Sequence, residues 1–140
     1  MMRNTEVRQE RELPWVDFAE HRQVGYQELL PAAKADALRV AVSSILRERI
    51  EPGGAVLPHY HDVAEVIHIT RGEVRLLMDG RWREFGAGDT FLVPAGAVHA
   101  VANRGANASE QISIFLPVSE MREPNAFFAT HQVAEGRDEA

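Results

Sequence analysis

The balance of apolar and polar positions shifts several times along the chain, and each shift predicts a different element. Residues 1–12 carry charges of both signs and offer little to bury. Leu13, Trp15, Val16 and Phe18 then gather around Pro14 and Asp17, an apolar knot suited to docking on a core as an edge strand or lid. Tyr26 to Ala37 is mildly helical in composition. Pro31 interrupts it without an amide hydrogen to donate, so the segment reads as irregular with about one helical turn. From Leu38 to Ile50 the β-branched content rises, and Glu51-Pro52-Gly53-Gly54 supplies a turn that ends this strand.

Beyond that turn, short strands alternate with breaker residues. Ala55 to His61 reads as a strand, residues 62–64 as a loop, and Glu65 to Thr70 as the return. Arg71-Gly72 turns the chain into Glu73 to Met78. Asp79-Gly80 is a hairpin signal, because a type I′ turn needs positive φ at both central positions and these residues tolerate it. Arg81 to Phe85, Thr90 to Val93, Val98 to Asn103 and Glu110 to Pro117 complete the series. Frequent turns without a long helix predict an antiparallel sandwich or barrel. The expected organisation is an N-terminal extension over 1–37 packed on a barrel over 38–118. A C-terminal extension over 119–140 follows, carrying Phe127 and Phe128 and disordered from about Glu135.

Composition narrows the function. At 140 residues and 45% apolar content the chain suits one domain. Fifteen Lys and Arg against 21 Asp and Glu leave a net charge of -6, which argues against nucleic acid as a partner. No apolar run approaches the roughly 20 residues needed to span a bilayer, and Met1-Met2-Arg3-Asn4 does not open a signal peptide, so a cytoplasmic location away from membranes is expected. With no cysteine, any metal must be held by nitrogen and oxygen.

Four of the six histidines, His59, His61, His68 and His99, fall close together in the barrel segment. Alternation along a strand puts His59 and His61 on one face, about 7 Å apart. A hairpin loop at 62–64 would set Glu65 opposite His61 on the same face. His99, at the start of a later strand, closes the group if that strand lies beside the hairpin. Three neutral imidazoles and a carboxylate suit Fe, Mn, Co, Ni, Cu or Zn and not Ca or Mg, and they leave coordination positions open. Gly72, Gly88 and Gly96 stand where the chain must turn sharply, and Pro94 fixes the approach to His99.

The combined spacing carries a resemblance. Gly53, five residues, His59-Tyr60-His61, three residues, Glu65, six residues and Gly72 form one motif. Gly88, five residues, Pro94-Ala95-Gly96, two residues, His99, three residues and Asn103 form the other. Together they resemble the two signature motifs of the cupin superfamily. The resemblance implies an all-β fold, a cupin-type jelly-roll β-barrel of antiparallel strands, with a divalent transition metal on His59, His61, Glu65 and His99. It also implies a homodimer built through edge strands.

Fold does not give function, so the pocket walls matter. If Glu65 points inward, Ile67 and Ile69 follow it, while Val66, His68 and Thr70 face away. His68 therefore reads as a packed or interfacial residue rather than a fifth ligand. Met78, Phe91 or its neighbour Leu92, Val93, and Phe115 or its neighbour Leu116 would add apolar walls, favouring an apolar or aromatic small-molecule substrate. Arg47 and Arg49 alternate with Leu46 and Glu48; an outward, solvated face is the plain reading. The functional one makes Arg47 a pocket residue anchoring a carboxylate or phenolate. Glu65 and Tyr60 are the candidate catalytic groups, with Asp62 also at the rim. Three functions remain open: a Lewis-acid cyclase or isomerase resembling the polyketide-cyclase cupins, a dioxygenase using O₂ at the same metal, and a non-catalytic binding or sensing module.

Overall fold

The computed structural model describes residues 4–117 and 129–134. Among these lie ten strands and one short α-helix, in the order β1 (Val16–Asp17), β2 (Arg22–Leu30), α1 (Ala32–Leu38), β3 (Ser44–His61), β4 (Ala64–Arg71), β5 (Glu73–Met78), β6 (Arg81–Gly86), β7 (Thr90–Val93), β8 (His99–Ala102), β9 (Ser109–Leu116) and β10 (Thr130–Gln132). All pairings are antiparallel, and the hydrogen-bonded path runs β6-β5-β8-β3-β9-β4-β7, with β2 and β10 also on β3 and β1 on β2. This is an all-β jelly roll. None of its described helices is long and apolar enough to cross a membrane.

Strand β3 belongs to two leaves. Its first half, Ser44 to Ile50, pairs with β9; its second half meets β8 through Ala55, Val56 and His59. The expected turn at residues 51–54 bends the strand without ending it. Gly53 supplies the bend with φ of 82°, a region that other L-residues rarely adopt. The ladder survives because Gly53 N donates to Asn103 O at 2.8 Å and Asn103 N donates to Gly54 O at 3.0 Å. The Asn103 amide, 1% exposed, donates to Ile50 O at 2.9 Å and Asn107 O at 2.8 Å, while its oxygen accepts from Gly105 N. One buried side chain thus clamps the bend from the far end of the second motif.

Other expectations shift for local reasons. Tyr26 to Leu30 is strand rather than irregular chain, pairing with β3, and the helix starts only after Pro31. That placement costs nothing, since the first helical amides have no intrahelical acceptor. The return strand β4 pairs with β7 and β9, so the hairpin expected between His61 and Glu65 does not form. Instead the chain crosses between leaves, with Val63 buried at the crossing. The 13–18 knot docks at an edge: β1 pairs with β2, and Trp15 lies under the Arg47 and Arg49 guanidiniums at 5.4 and 4.4 Å. Asp79-Gly80 has φ of 52° and 77°, as the hairpin signal requires. Within the C-terminal extension, β10 pairs with β3; Phe127, Phe128 and the tail from Glu135 lie outside the described residues.

The apolar core fills one end of the space between the leaves, where Ile50, Ile67, Ile69, Val74, Leu76 and Val101 are almost wholly buried. A smaller cluster of Leu46, Val63 and Phe115 sits apart from it. Asn103→Ala should lower unfolding stability by about 2–3 kcal/mol, because it removes the two buried side-chain hydrogen bonds, to Ile50 O and Asn107 O, that hold the bend. Urea unfolding would read this as a lower midpoint at unchanged slope. An unchanged midpoint would show that the bend holds without the clamp.

Candidate metal centre

His59 and His61 project from the second half of β3, His99 from β8 beside His59, and Glu65 from β4 in the opposite leaf. All four are buried, and their ligand-type atoms lie within 4.8 Å of one another. Alternation explains His59 and His61; Cα register explains His59 and His99; the crossing at Val63 brings Glu65 over from the other leaf. The group expected from the sequence is therefore assembled, by a facing strand rather than a hairpin partner.

The hydrogen-bond pattern fixes which atoms face inward. His59 Nδ1 donates to Leu57 O at 2.5 Å and His99 Nδ1 donates to Ala97 O at 3.0 Å, because a carbonyl can only accept. His61 Nδ1 lies 2.9 Å from Thr130 Oγ1 on β10. Each Nε2 is thereby turned to the centre: His59 Nε2 is 3.0 Å from His61 Nε2, and Glu65 Oε1 lies 3.3 and 3.0 Å from the Nε2 atoms of His61 and His99. The Nε2 atoms of the three rings and the Glu65 carboxylate are gathered in one buried space, an arrangement that calls for a cation shared among them. This donor set fits a divalent transition metal.

Titration behaviour is consistent with that demand. Burial, followed by the charges of His99 and His61, lowers His59 to about 3, so its ring is a neutral ligand at pH 7. Burial pushes Glu65 upward, but its hydrogen bonds with His61 and His99 outweigh this and hold it below the usual carboxylate range. Burial likewise opposes a charge on His99, and its bond with Glu65 reverses the effect and raises it. The Glu65–His99 contact thus favours a proton held between carboxylate and ring, which a bound metal would displace.

The group opens into a cavity of about 740 Å³. Leu46, Val56, Ile67 and Phe115 form apolar walls, and Phe18 and Tyr26 stand nearer the N-terminal segment. Of the pocket residues expected from the sequence, Ile67 and Phe115 line it. Ile69 and Phe91 lie instead in the apolar core, with Met78 and Val93 packed against that core, because they sit deeper between the leaves. Arg47 faces out of the barrel: it pairs with Glu110 and Glu10, both at 2.6 Å. Tyr60 also points away, since it alternates with the two histidines, and its ring stacks on His131 at 4.7 Å. Asp62 is exposed and accepts from Ala129 N. His68 is exposed on the outer face and bonds Thr90 at 2.8 Å.

Several cavity residues escaped sequence reasoning. Glu48, 3% exposed, lines the cavity and accepts from Ser113 Oγ at 2.5 Å. Burial, then the charge of Glu65, raises Glu48 to about 7. The signal was available in the alternation that turns Leu46, Glu48 and Ile50 inward and Arg47 and Arg49 outward. His21 lay outside both motifs; its Nδ1 accepts from Leu57 N at 3.0 Å, and its ring stands 5.2 Å from that of His59.

The cupin-domain family profile matches residues 46–115, half of the chain. The chain belongs to the cupin family. No curated protein matches it. Among solved structures, this cupin is similar to the polyketide cyclase RemF from Streptomyces resistomycificus, with a TM-score of 0.71 at 14% identity over 95% of this chain and 86% of that one. A predicted oxalate decarboxylase from Thermotoga maritima also gives 0.71, at 21% identity over 81% and 100% of the two chains. KdgF from Halomonas sp. gives 0.67, at 16% identity over 84% and 97%. At these identities the likeness is one of fold.

Burial, reinforced by the charge of His61, lowers His21 to about 4, below its ordinary 6.5. The unfolded chain therefore takes up this proton first, so stability attached to His21 is full above pH 6.5 and is lost as pH falls toward 4. Between pH 7 and 5 the wild type should lose about 1–2 kcal/mol more than His21→Gln in urea unfolding of metal-free protein. Equal losses would show that His21 is not held neutral.

Proposed function

We propose that this cupin is a metal-dependent enzyme acting on a small apolar or aromatic metabolite that binds through oxygen, by Lewis-acid chemistry of the cyclase or isomerase kind. The observation that carries this reading is the convergence of three imidazole Nε2 atoms and Glu65 Oε1 at one end of a 740 Å³ cavity with largely apolar walls. A bound divalent metal would supply Lewis acidity at that end, polarising a carbonyl or phenolic oxygen.

The chain's own residues do the rest. His59, His61, His99 and Glu65 hold the metal, and Leu57, Ala97 and Thr130 keep the three rings turned toward it. Ile67, Phe115 and Val56 present flat apolar surface against which a ring can lie, and they exclude water from the reacting atoms. Glu48 takes the acid–base place that sequence reasoning had given to Tyr60. It lies in the cavity, it is anchored by Ser113, and at about 7 it can hold or release a proton near neutral pH. The polyketide cyclase among the fold neighbours is compatible with this chemistry.

Protein purified without a metal-affinity tag should contain close to one transition-metal ion per chain. His61→Ala should weaken metal retention roughly tenfold or more, while His68→Ala, altered on the outer face, should retain the full complement. Elemental analysis reads both, and full metal in His61→Ala would overturn the site. The reaction class is tested with an oxygen electrode and a panel of phenols and diketones. Turnover without oxygen uptake supports the Lewis-acid reading; substrate-dependent uptake replaces it with a dioxygenase.

A further inference from the structure

His21 ends the turn that leads into β2, and its ring is part of the cavity lining beside the imidazole group. The turn is tied down: Phe18 N donates to Val24 O at 2.8 Å, and His21 N donates to Phe18 O at 3.0 Å. The ring packs between those of Phe18 and His59, at centroid distances of 4.7 and 5.2 Å. Its Nδ1 lies 3.0 Å from Leu57 N. A backbone N–H can only donate, so Nδ1 is the acceptor and the one ring proton sits on Nε2.

Nothing in the fold uses that proton. Nε2 has no hydrogen-bond partner among the described residues, and unlike the unpaired Gln111 oxygen it is not sealed inside protein, so its N–H opens on the cavity that the ring lines. The candidate ligand group gathers His59, His61, Glu65 and His99 without it. His21 is therefore a neutral donor of fixed orientation, in ring contact with a residue of that group.

What it can meet there follows from its neighbours. Asp17, Glu20, Glu28, Glu48 and Glu65 line the same cavity, and among the described residues no arginine or lysine does. A carboxylate or phosphate would enter against those groups with no cation to hold it. An uncharged carbonyl oxygen accepts from the N–H without that opposition, and a donor fixed in advance holds such an oxygen most strongly as negative charge builds on it. From these observations we infer that His21 is a substrate-recognition residue, donating its Nε2–H to a carbonyl oxygen that neighbours the chelating oxygen. The preferred ligand is then an uncharged hydroxy-carbonyl or dicarbonyl compound. His21 acts in this way only if the imidazole–carboxylate group is the oxygen-binding end proposed above.

The test is calorimetric titration of the metal-bearing, untagged full chain with catechol and 2,3-dihydroxyacetophenone, which share a chelating pair and differ in one adjacent carbonyl group. The ratio of the two affinities in the wild type is compared with that in His21→Gln, whose amide can both accept from Leu57 N and donate, and in His21→Leu, which can do neither. Comparing variants cancels the effect of the carbonyl on the catechol itself. His21→Leu should lower the preference for the ketone about tenfold with metal content unchanged, and His21→Gln should keep it within about threefold of the wild type. His21→Met serves if the Leu variant does not fold. An undiminished preference in the folded Leu or Met variant overturns the role of His21 alone, as does loss of metal from it. Equal losses in the Gln and Leu variants overturn it too, because they assign the effect to ring packing. A metal-bearing wild type that binds neither compound overturns the proposed oxygen-chelating function, and the role of His21 with it.

Discussion

The bend in β3 is the constraint on which this barrel depends. A strand of 18 residues serves both leaves only if it changes direction without exposing its backbone, and the change falls on Gly53 and Gly54 under the Asn103 clamp. Everything chemical follows from where the two halves then point. The first half directs Glu48 into the cavity from one leaf, and the second directs His59 and His61 from the other. Glu65 reaches them because the next strand crosses back to the first leaf. A strand that stopped at residues 51–54 would leave two unrelated hairpins and no enclosed group.

How far all this was legible depended on the range of the interaction concerned. Alternation is local, so the shared face of His59 and His61, and the inward Glu65, Ile67 and Ile69 against an exposed His68, could be read from neighbouring residues. The glycine and proline punctuation placed most strand ends for the same reason. Pairing is not local. Nothing between His61 and Glu65 says that their strands avoid each other and that β9, more than forty residues on, is the common neighbour of β3 and β4. The hairpin was a reasonable inference from loop length, and long-range pairing overrode it.

The pocket expectations failed in a related way. Parity says which face a side chain occupies, not how deep it lies, so Ile69, Phe91, Met78 and Val93 share the inner face and still serve the core rather than the cavity. Arg47 and Tyr60 failed by parity itself. Glu48 was overlooked because a glutamate between two arginines looks like solvated surface. The arginines are in fact consumed on the outer face, where Glu110, 5% exposed, binds Arg47 and Arg49 together. Composition alone could not separate those two carboxylates; counting from Ile50 by twos would have.

The interior of the barrel also shows where stability has been set aside. Burying an unpaired polar group typically costs about 1–3 kcal/mol, and even a well-bonded buried ion pair does little better than an apolar replacement. A barrel selected only to stay folded would continue the Ile50, Ile67 and Ile69 packing to the far end. This one instead buries three imidazoles and Glu65 in one group and Glu48, Gln111 and Ser113 in another, with a cavity between them and the N-terminal segment. The first group would be satisfied by a metal shared among its imidazole nitrogens and its carboxylate. The second satisfies Glu48 from within, through Ser113 and Gln111, so the two groups differ in kind: one gathers atoms that a metal would share, the other holds a carboxylate able to keep or release a proton near pH 7. That division is what a site needs if metal binding and proton transfer are to be set by different residues.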